Sequence, residues 1–209
     1  MPLQSVSDQS ASGAASRGTW LLFLGGSLFV VVAAAAIAIY AGIFNVAADV
    51  PHTQPVYWLM QSVRERSVAI RAADIVVPAD LENVRRVASG AGQYAEMCSS
   101  CHLAPGMKRT EISRGLYPRA PELRRGGGLT PAEEFWVVKH GLKMTGMPAW
   151  GVTHSDEVLW DVVAFLRKLP ELTPDQYQAL VKSVPKSHEQ MMQDGEMGSR
   201  KDESTEPHQ

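Results

Sequence analysis

The chain contains one long, unbroken apolar run, followed by shorter stretches in which apolar residues recur every three or four positions. Residues 20–44, "WLLFLGGSLFVVVAAAAIAIYAGIF", carry no charge. At about 1.5 Å per residue, such a helix outspans the ~30 Å hydrocarbon layer of a bilayer. Trp20 at one end, and Tyr40 and Phe44 near the other, suit the two membrane interfaces. A cleaved signal peptide is the rival reading, because Val46-Ala47-Ala48 loosely resembles a small-residue processing site. Its apolar core would span only ~7–15 residues, and its leading segment would carry more positive charge than Arg17 alone. The pattern therefore predicts a retained anchor at 20–44, after a small, polar and disordered cytoplasmic tail at 1–19. Arg17 before the run and Asp49 after it orient the N-terminus toward the cytoplasm.

Residues 45–80 read as a tether that is partly helical. Val56, Leu59, Met60, Val63 and Ile70 give it an amphipathic stretch that could lie on the membrane or pack on the adjoining domain. From 81 to 185 the punctuation is helical. "LENVRRVASGAGQYAEMC" is expected to be helical at least from Gly90. "TPAEEFWVVKHG" predicts a helix with Thr130 as N-cap, Pro131 at the first position, Glu133 closing a capping box and Gly141 as the stop. "SDEVLWDVVAFLRKLP" predicts another, capped by Ser155 and ended by Pro170. "TPDQYQALVKSV" predicts a third, capped by Thr173 with Gln176 three residues on. No alternating strand pattern stands out. Residues 103–129 form a loop rich in Gly, Pro and Arg, too long for a compact domain unless it wraps something. The fold class expected is all-α: a small helical domain around a large apolar cofactor, preceded by one transmembrane helix. Residues 186–209 read as an acidic, disordered tail.

Composition adds little. Lys and Arg total 20 against 22 Asp and Glu, a formal net charge of −2, and no nucleic-acid-binding motif occurs. The two cysteines are more telling: both lie in "MCSSCHLAPG", three positions apart, with His102 directly after the second. A zinc site needs about four ligands, and no second pair exists. A thioredoxin-like dithiol belongs in an alternating α/β pattern that is missing here, and a disulfide across so small a loop leaves His102 unexplained. The remaining reading is C-x-x-C-H, covalent haem c attachment, with Cys98 and Cys101 as thioether sites and His102 facing the iron. A second axial ligand is expected from "KMTGMPAWG", a loop following the helix that ends at Gly141. A thioether is a soft ligand that raises the potential relative to two histidines. Met147 is favoured over Met144 because Gly146 permits close approach to a porphyrin and Pro148 stiffens the loop.

With these motifs in view, the chain resembles the class I cytochrome c family, in its membrane-anchored bacterial branch. The resemblance covers roughly 88–170 and rests on "GAGQYAEMCSSCH", "APEL", "GMPAWG" and "DEVLWDVVAFLRKL". It implies that the first and last helices of the domain cross near the haem edge, with Gly92 and Tyr94 meeting Trp160 or Phe165. It implies too that the Pro121 carbonyl accepts from the N–H of the ligating histidine. Trp150 and Tyr117 are candidates for haem propionates, against simple packing. Arg119, Arg124 and Arg125 could neutralise them or stay solvated. The basic stretch 108–125 could steer acidic partners or be an ordinary charged loop.

The function expected is an electron carrier with one covalent haem c, His102 and Met147 as axial ligands, and no enzyme activity or small-molecule substrate. It would be a single-pass protein of a bacterial inner membrane, with the haem domain facing the periplasm and redox proteins as donors and acceptors. The alternative is a fixed cytochrome c subunit of a larger oxidase or dehydrogenase. A haem sensor or peroxidase with a labile sixth site, and a copper chaperone using His188, Met191, Met192 and Met197 in the tail, are further rivals.

Overall fold

In the computed structural model, residues 10–183 are described, and no strand occurs among them. The chain divides after Val50 into two compact units.

The first unit holds one helix, α1 (Ser10–Tyr40). It starts within the tail expected to be disordered, so residues 10–19 are helical, and it ends four residues before the apolar run does. Its segment Thr19–Tyr40 is long and apolar enough to cross a membrane, with none of its most apolar window buried within the unit.

The second unit starts at Pro51 and takes in most of the segment expected to be a tether. Here α2 (Gln54–Ala72) packs against α6 (Pro131–His140) and buries Val68 and Ala72, which answers the open question of the amphipathic stretch. Next come α3 (Val84–Gln93), a single π-helical turn (Tyr94–Cys98), α4 (Ser99–His102) and the one-turn α5 (Glu111–Gly115). A 3₁₀ turn at Leu123–Arg125 precedes α6. Another at Trp150–Val152 leads into α7 (Asp156–Lys168), and α8 (Pro174–Ser183) closes the described chain. The acidic tail from 186 lies outside the described residues.

The caps follow the sequence closely. Thr130 Oγ1 accepts from Glu133 N–H, and Glu133 accepts in return from Thr130 N–H, while Gly141 at φ 64° stops α6. Thr173 and Gln176 reciprocate in the same way at α8. Ser155 differs: its side chain makes no capping bond. The start of α7 is held instead by Lys139, whose ammonium lies 2.7 Å from Asp156 in the first turn. Pro170 also differs, sitting inside a 3₁₀ turn (Leu169–Glu171) that prolongs α7 rather than ending it.

The core lies where α3 crosses α7. Tyr94, Leu159, Val162, Val163, Phe165 and Leu169 are fully enclosed, and the Phe135 ring stacks on Trp160 with centroids 4.1 Å apart. Tyr94 meets Phe165 at 5.2 Å, as the resemblance implied. Gly90 lies at the crossing: a Cβ on it would lie 1.9 Å from the Asp161 carbonyl oxygen. Arg86 staples the same pair of helices, reaching Asp161 and Glu157 on α7 at 2.9 Å each and Asp80 at 2.8 Å.

Candidate haem-binding site

The cysteine motif follows an irregular stretch of helix. α3 widens into the π turn at Tyr94–Cys98, tightens into α4, and then stops at Leu103, a buried non-glycine residue with φ 62°. A π turn and a left-handed leucine side by side are local costs of the kind found at functional sites. Neighbouring groups hold the strained turn. Leu103 N–H donates to the Ser99 carbonyl, and the buried Tyr94 hydroxyl donates to the Leu103 carbonyl. The Thr110 hydroxyl donates to the Ser100 carbonyl and also accepts from Ser113 N–H to cap α5. The loop after the motif is thus sewn back onto it.

The thiols of Cys98 and Cys101 are both unpaired. Burial, with Cys101 nearby, pushes the Cys98 thiol up to about 12, so it is held as a protonated thiol. A redox dithiol needs the opposite, a thiol whose pKa is lowered. Among the described residues no group of three or more His, Cys, Asp and Glu could hold a metal ion, so a zinc site finds no ligand set.

His102 Nδ1 lies 2.9 Å from the Pro121 carbonyl oxygen, nineteen residues along the chain. A carbonyl only accepts, so Nδ1 carries the hydrogen and Nε2 keeps its lone pair. Burial holds the imidazole below its usual pKa against the opposing pull of that carbonyl, so the ring is neutral at pH 7.

The methionine loop is a closed turn. Leu142 N–H donates to the Met147 carbonyl (3.2 Å), the Thr145 hydroxyl to the Leu142 carbonyl (2.7 Å), and Met147 N–H to Thr145 Oγ1 (3.1 Å). Gly141 is required at its base: a Cβ there would meet the Met147 and Pro148 carbonyl oxygens at 2.7 and 2.8 Å. The two methionines part company in this turn. Met147 packs against the core cluster, whereas Met144 sits with φ 59° and is 74% exposed. Trp150 also packs on the core, edge-on to the His154 ring at 5.7 Å.

Two further candidates have partners within the chain. The Tyr117 hydroxyl accepts from the backbone N–H of His52 (2.7 Å), so this ring ties the entry of α2 to the long loop. The basic stretch 108–125 is partly neutralised: Glu122 gathers Arg124 (2.9 Å), Arg125 (3.2 Å) and Arg109 (3.6 Å). Desolvation raises the Glu122 pKa, but the three guanidiniums prevail and hold it below the carboxylate range. Arg124 Nε remains buried with no partner.

The residues present fit a c-type haem. Two free thiols and a neutral, oriented imidazole share one turn of chain, a sulfur-bearing side chain reaches the core from a separate rigid loop, and a buried guanidinium N–H awaits an acceptor. Comparison with known proteins points the same way. A family described as "Cytochrome C oxidase, cbb3-type, subunit III" matches residues 85–166, which run from the start of α3 through most of α7 and enclose all of these groups. No curated protein matches the chain. Over residues 85–166 the all-helical domain of this chain is similar to a class I cytochrome c-type family.

Proposed function

We propose that this chain is a membrane-tethered carrier of single electrons, with one haem c bound covalently through Cys98 and Cys101 and ligated by His102 and Met147. The bound haem supplies the one-electron iron couple. His102 would offer it a neutral Nε2, its tautomer fixed by the Pro121 carbonyl at 2.9 Å, and this contact is the observation that carries the reading. Met147, inward on its closed turn, would offer it a thioether, and Met144 at 74% exposure is left out. The unpartnered Arg124 Nε, and the Trp150 indole N–H, which has no partner among the described residues, are donors suited to propionates. With His102 and Met147 both committed as ligands, the group would have no position open to oxygen or substrate and would serve to pass single electrons.

The apolar segment Thr19–Tyr40 supports anchoring in a bacterial inner membrane. Haem attachment to such motifs outside the cytoplasm puts the domain in the periplasm, where redox proteins are its donors and acceptors at high effective concentration. The matched family's description names an oxidase subunit, so co-purification of stoichiometric partners in mild detergent distinguishes a fixed subunit from a free carrier.

The test is absorption and redox titration of the purified protein beside Met147→Ala and Met144→Ala. Met147→Ala abolishes the sulfur-to-iron band, lowers the potential and lets the ferrous form take up carbon monoxide. Met144→Ala changes none of these. The reverse pattern would overturn the ligand assignment, and ready carbon monoxide binding by the wild type would overturn the carrier.

A further inference from the structure

The face built from α2 and the outer side of the methionine turn carries none of the side chains proposed to hold the haem. α2 turns Val68 and Ala72 toward α6. At 100° per residue, Val56, Leu59, Val63 and Ile70 fall on one stripe away from that contact, and each is 37–57% exposed. Arg66 flanks the stripe on one side, and Arg64 and Arg71 flank it on the other.

Beside the stripe runs a cleft of about 480 Å³ between α2 and residues 140–145. Arg64, Arg71 and Lys143 line it with His52 and His140, and no carboxylate does. Arg64, Arg66 and Lys143 have no ion-pair partner among the described residues, and Arg71 bonds only to Ser67 on its own helix. Elsewhere in this unit Arg86 pairs with Asp80, Glu157 and Asp161, Lys139 with Asp156, Arg167 with Glu134 and Lys168 with Glu171, while Arg85, Lys108, Arg114, Arg119 and Lys182 have no ion-pair partner among the described residues but do not line this cleft. The uncompensated charge on this face is spread over two helical turns, about 10 Å, which suits a surface bearing many anionic groups better than one compact ion.

We infer that this face docks on an anionic phospholipid bilayer. The apolar stripe beds among the headgroups, and Arg64, Arg66, Arg71 and Lys143 reach lipid phosphates with their aliphatic stems along the apolar surface. A helix with this division of residues lies in the plane of a membrane. An acidic protein would be met by the cations but would leave the exposed aliphatic stripe without a purpose. Proximity comes from the proposed anchor, on which the inference rests: residues 41–53 join α1 to α2 and extend at most ~45 Å, so the lipid surface is always within reach. The consequence is orientation. A docked α2 gives the domain one preferred edge toward the bilayer instead of free rotation on its linker.

The experiment uses the full-length holoprotein reconstituted in phosphatidylcholine vesicles, with or without phosphatidylglycerol. Each carries a trace of lipid with a photoactivatable headgroup, and labelled peptides are read by mass spectrometry. Label on the ends of α1 reports the anchor, and label on α2 reports docking, so the two readings fail separately. With phosphatidylglycerol, α2 is labelled at least tenfold more than in neutral vesicles, and high salt removes the excess. Arg64→Glu/Arg71→Glu/Lys143→Glu abolishes it, and Leu59→Ser/Val63→Ser weakens it, with circular dichroism and the haem spectrum checking that each variant is folded. Equal labelling of α2 in both vesicles, or labelling unchanged by the charge reversal, overturns the docking surface. Polyglutamate that binds the wild type but not the charge-reversed variant, with α2 unlabelled by lipid, overturns it in favour of an acidic protein partner.

Discussion

Gly90→Ala is the substitution on which the fold stands most exposed to test. On a free helix the change is favourable by about 1 kcal/mol, because glycine is a poor helix former. In this structure the added Cβ would lie 1.9 Å from the Asp161 carbonyl oxygen, 2.5 Å from its carbon and 2.9 Å from Phe165 Cβ. None of these atoms can swing away by changing rotamer. Restoring ordinary contact requires α3 and α7 to part by about 1.5 Å, at a crossing where Ala91, Tyr94 and Phe165 are wholly enclosed. Forcing a methyl group into a packed core typically costs about 1–3 kcal/mol, and a clash with backbone belongs at or beyond the upper end. Set against the helical gain, the net loss is about 2 kcal/mol, which for a domain of this size lowers Tm by roughly 10 °C. Urea unfolding of the holoprotein, followed by far-UV circular dichroism, measures it as a lower midpoint at constant slope. Gly115→Ala is the control, since a Cβ there meets nothing within 4 Å. If Gly90→Ala stays within ~0.5 kcal/mol of wild type, the two helices do not cross at this glycine and the packing argument fails.

Two further predictions probe groups that the motif does not contain. Tyr94→Phe removes the hydroxyl that donates to the Leu103 carbonyl and leaves that acceptor unpaired in the core, costing about 1–3 kcal/mol by the same unfolding assay; an unchanged midpoint would mean that the strained turn does not depend on it. Glu134 is 8% exposed, its Oε2 has no partner, and burial pushes its pKa up to about 7 against Arg167 at 3.4 Å. The folded state therefore holds the Glu134 proton more tightly than the unfolded chain, so this residue's contribution to stability falls as pH rises from about 4.5 to about 7. Glu134→Gln removes that slope and leaves the variant up to about 3 kcal/mol more stable relative to wild type at pH 8 than at pH 5. Parallel pH profiles for the two proteins would refute it.

Features fixed within a few residues of chain were legible in the sequence. The capping boxes at Thr130 and Thr173 and the stop at Gly141 need only side chains that satisfy backbone groups one turn away. The contact between His102 and Pro121 was legible only through family resemblance, because nothing local links residues nineteen apart. The crossing glycine did have a local signal. With Tyr94 buried, Gly90 four residues earlier shares its face. The π turn and the positive φ at Leu103 leave no comparable trace, since neither Ala95, Glu96 and Met97 nor a leucine announces an irregular backbone. Such conformations arise from tertiary closure. The role of α2 was open for a related reason: amphipathicity says that a helix has two faces, not what meets each of them.

That closure has a direction that bears on the proposed chemistry. Three bonds reach the motif from different parts of the chain: the Tyr94 hydroxyl from the helix before it, the Thr110 hydroxyl from the loop after it, and the Pro121 carbonyl from further along that loop. The first two hold backbone carbonyls on either side of Cys101 and His102, and the third holds the imidazole itself. A ring so fixed does not have to turn when the charge beside it changes by one. For an electron carrier this matters more than the strength of any single bond, because transfer is slowed by whatever must rearrange between oxidation states. The long loop is therefore structural rather than a mere connection. Shortening it between Thr110 and Pro121 would leave the cysteines and histidine in place while removing the supports that orient them.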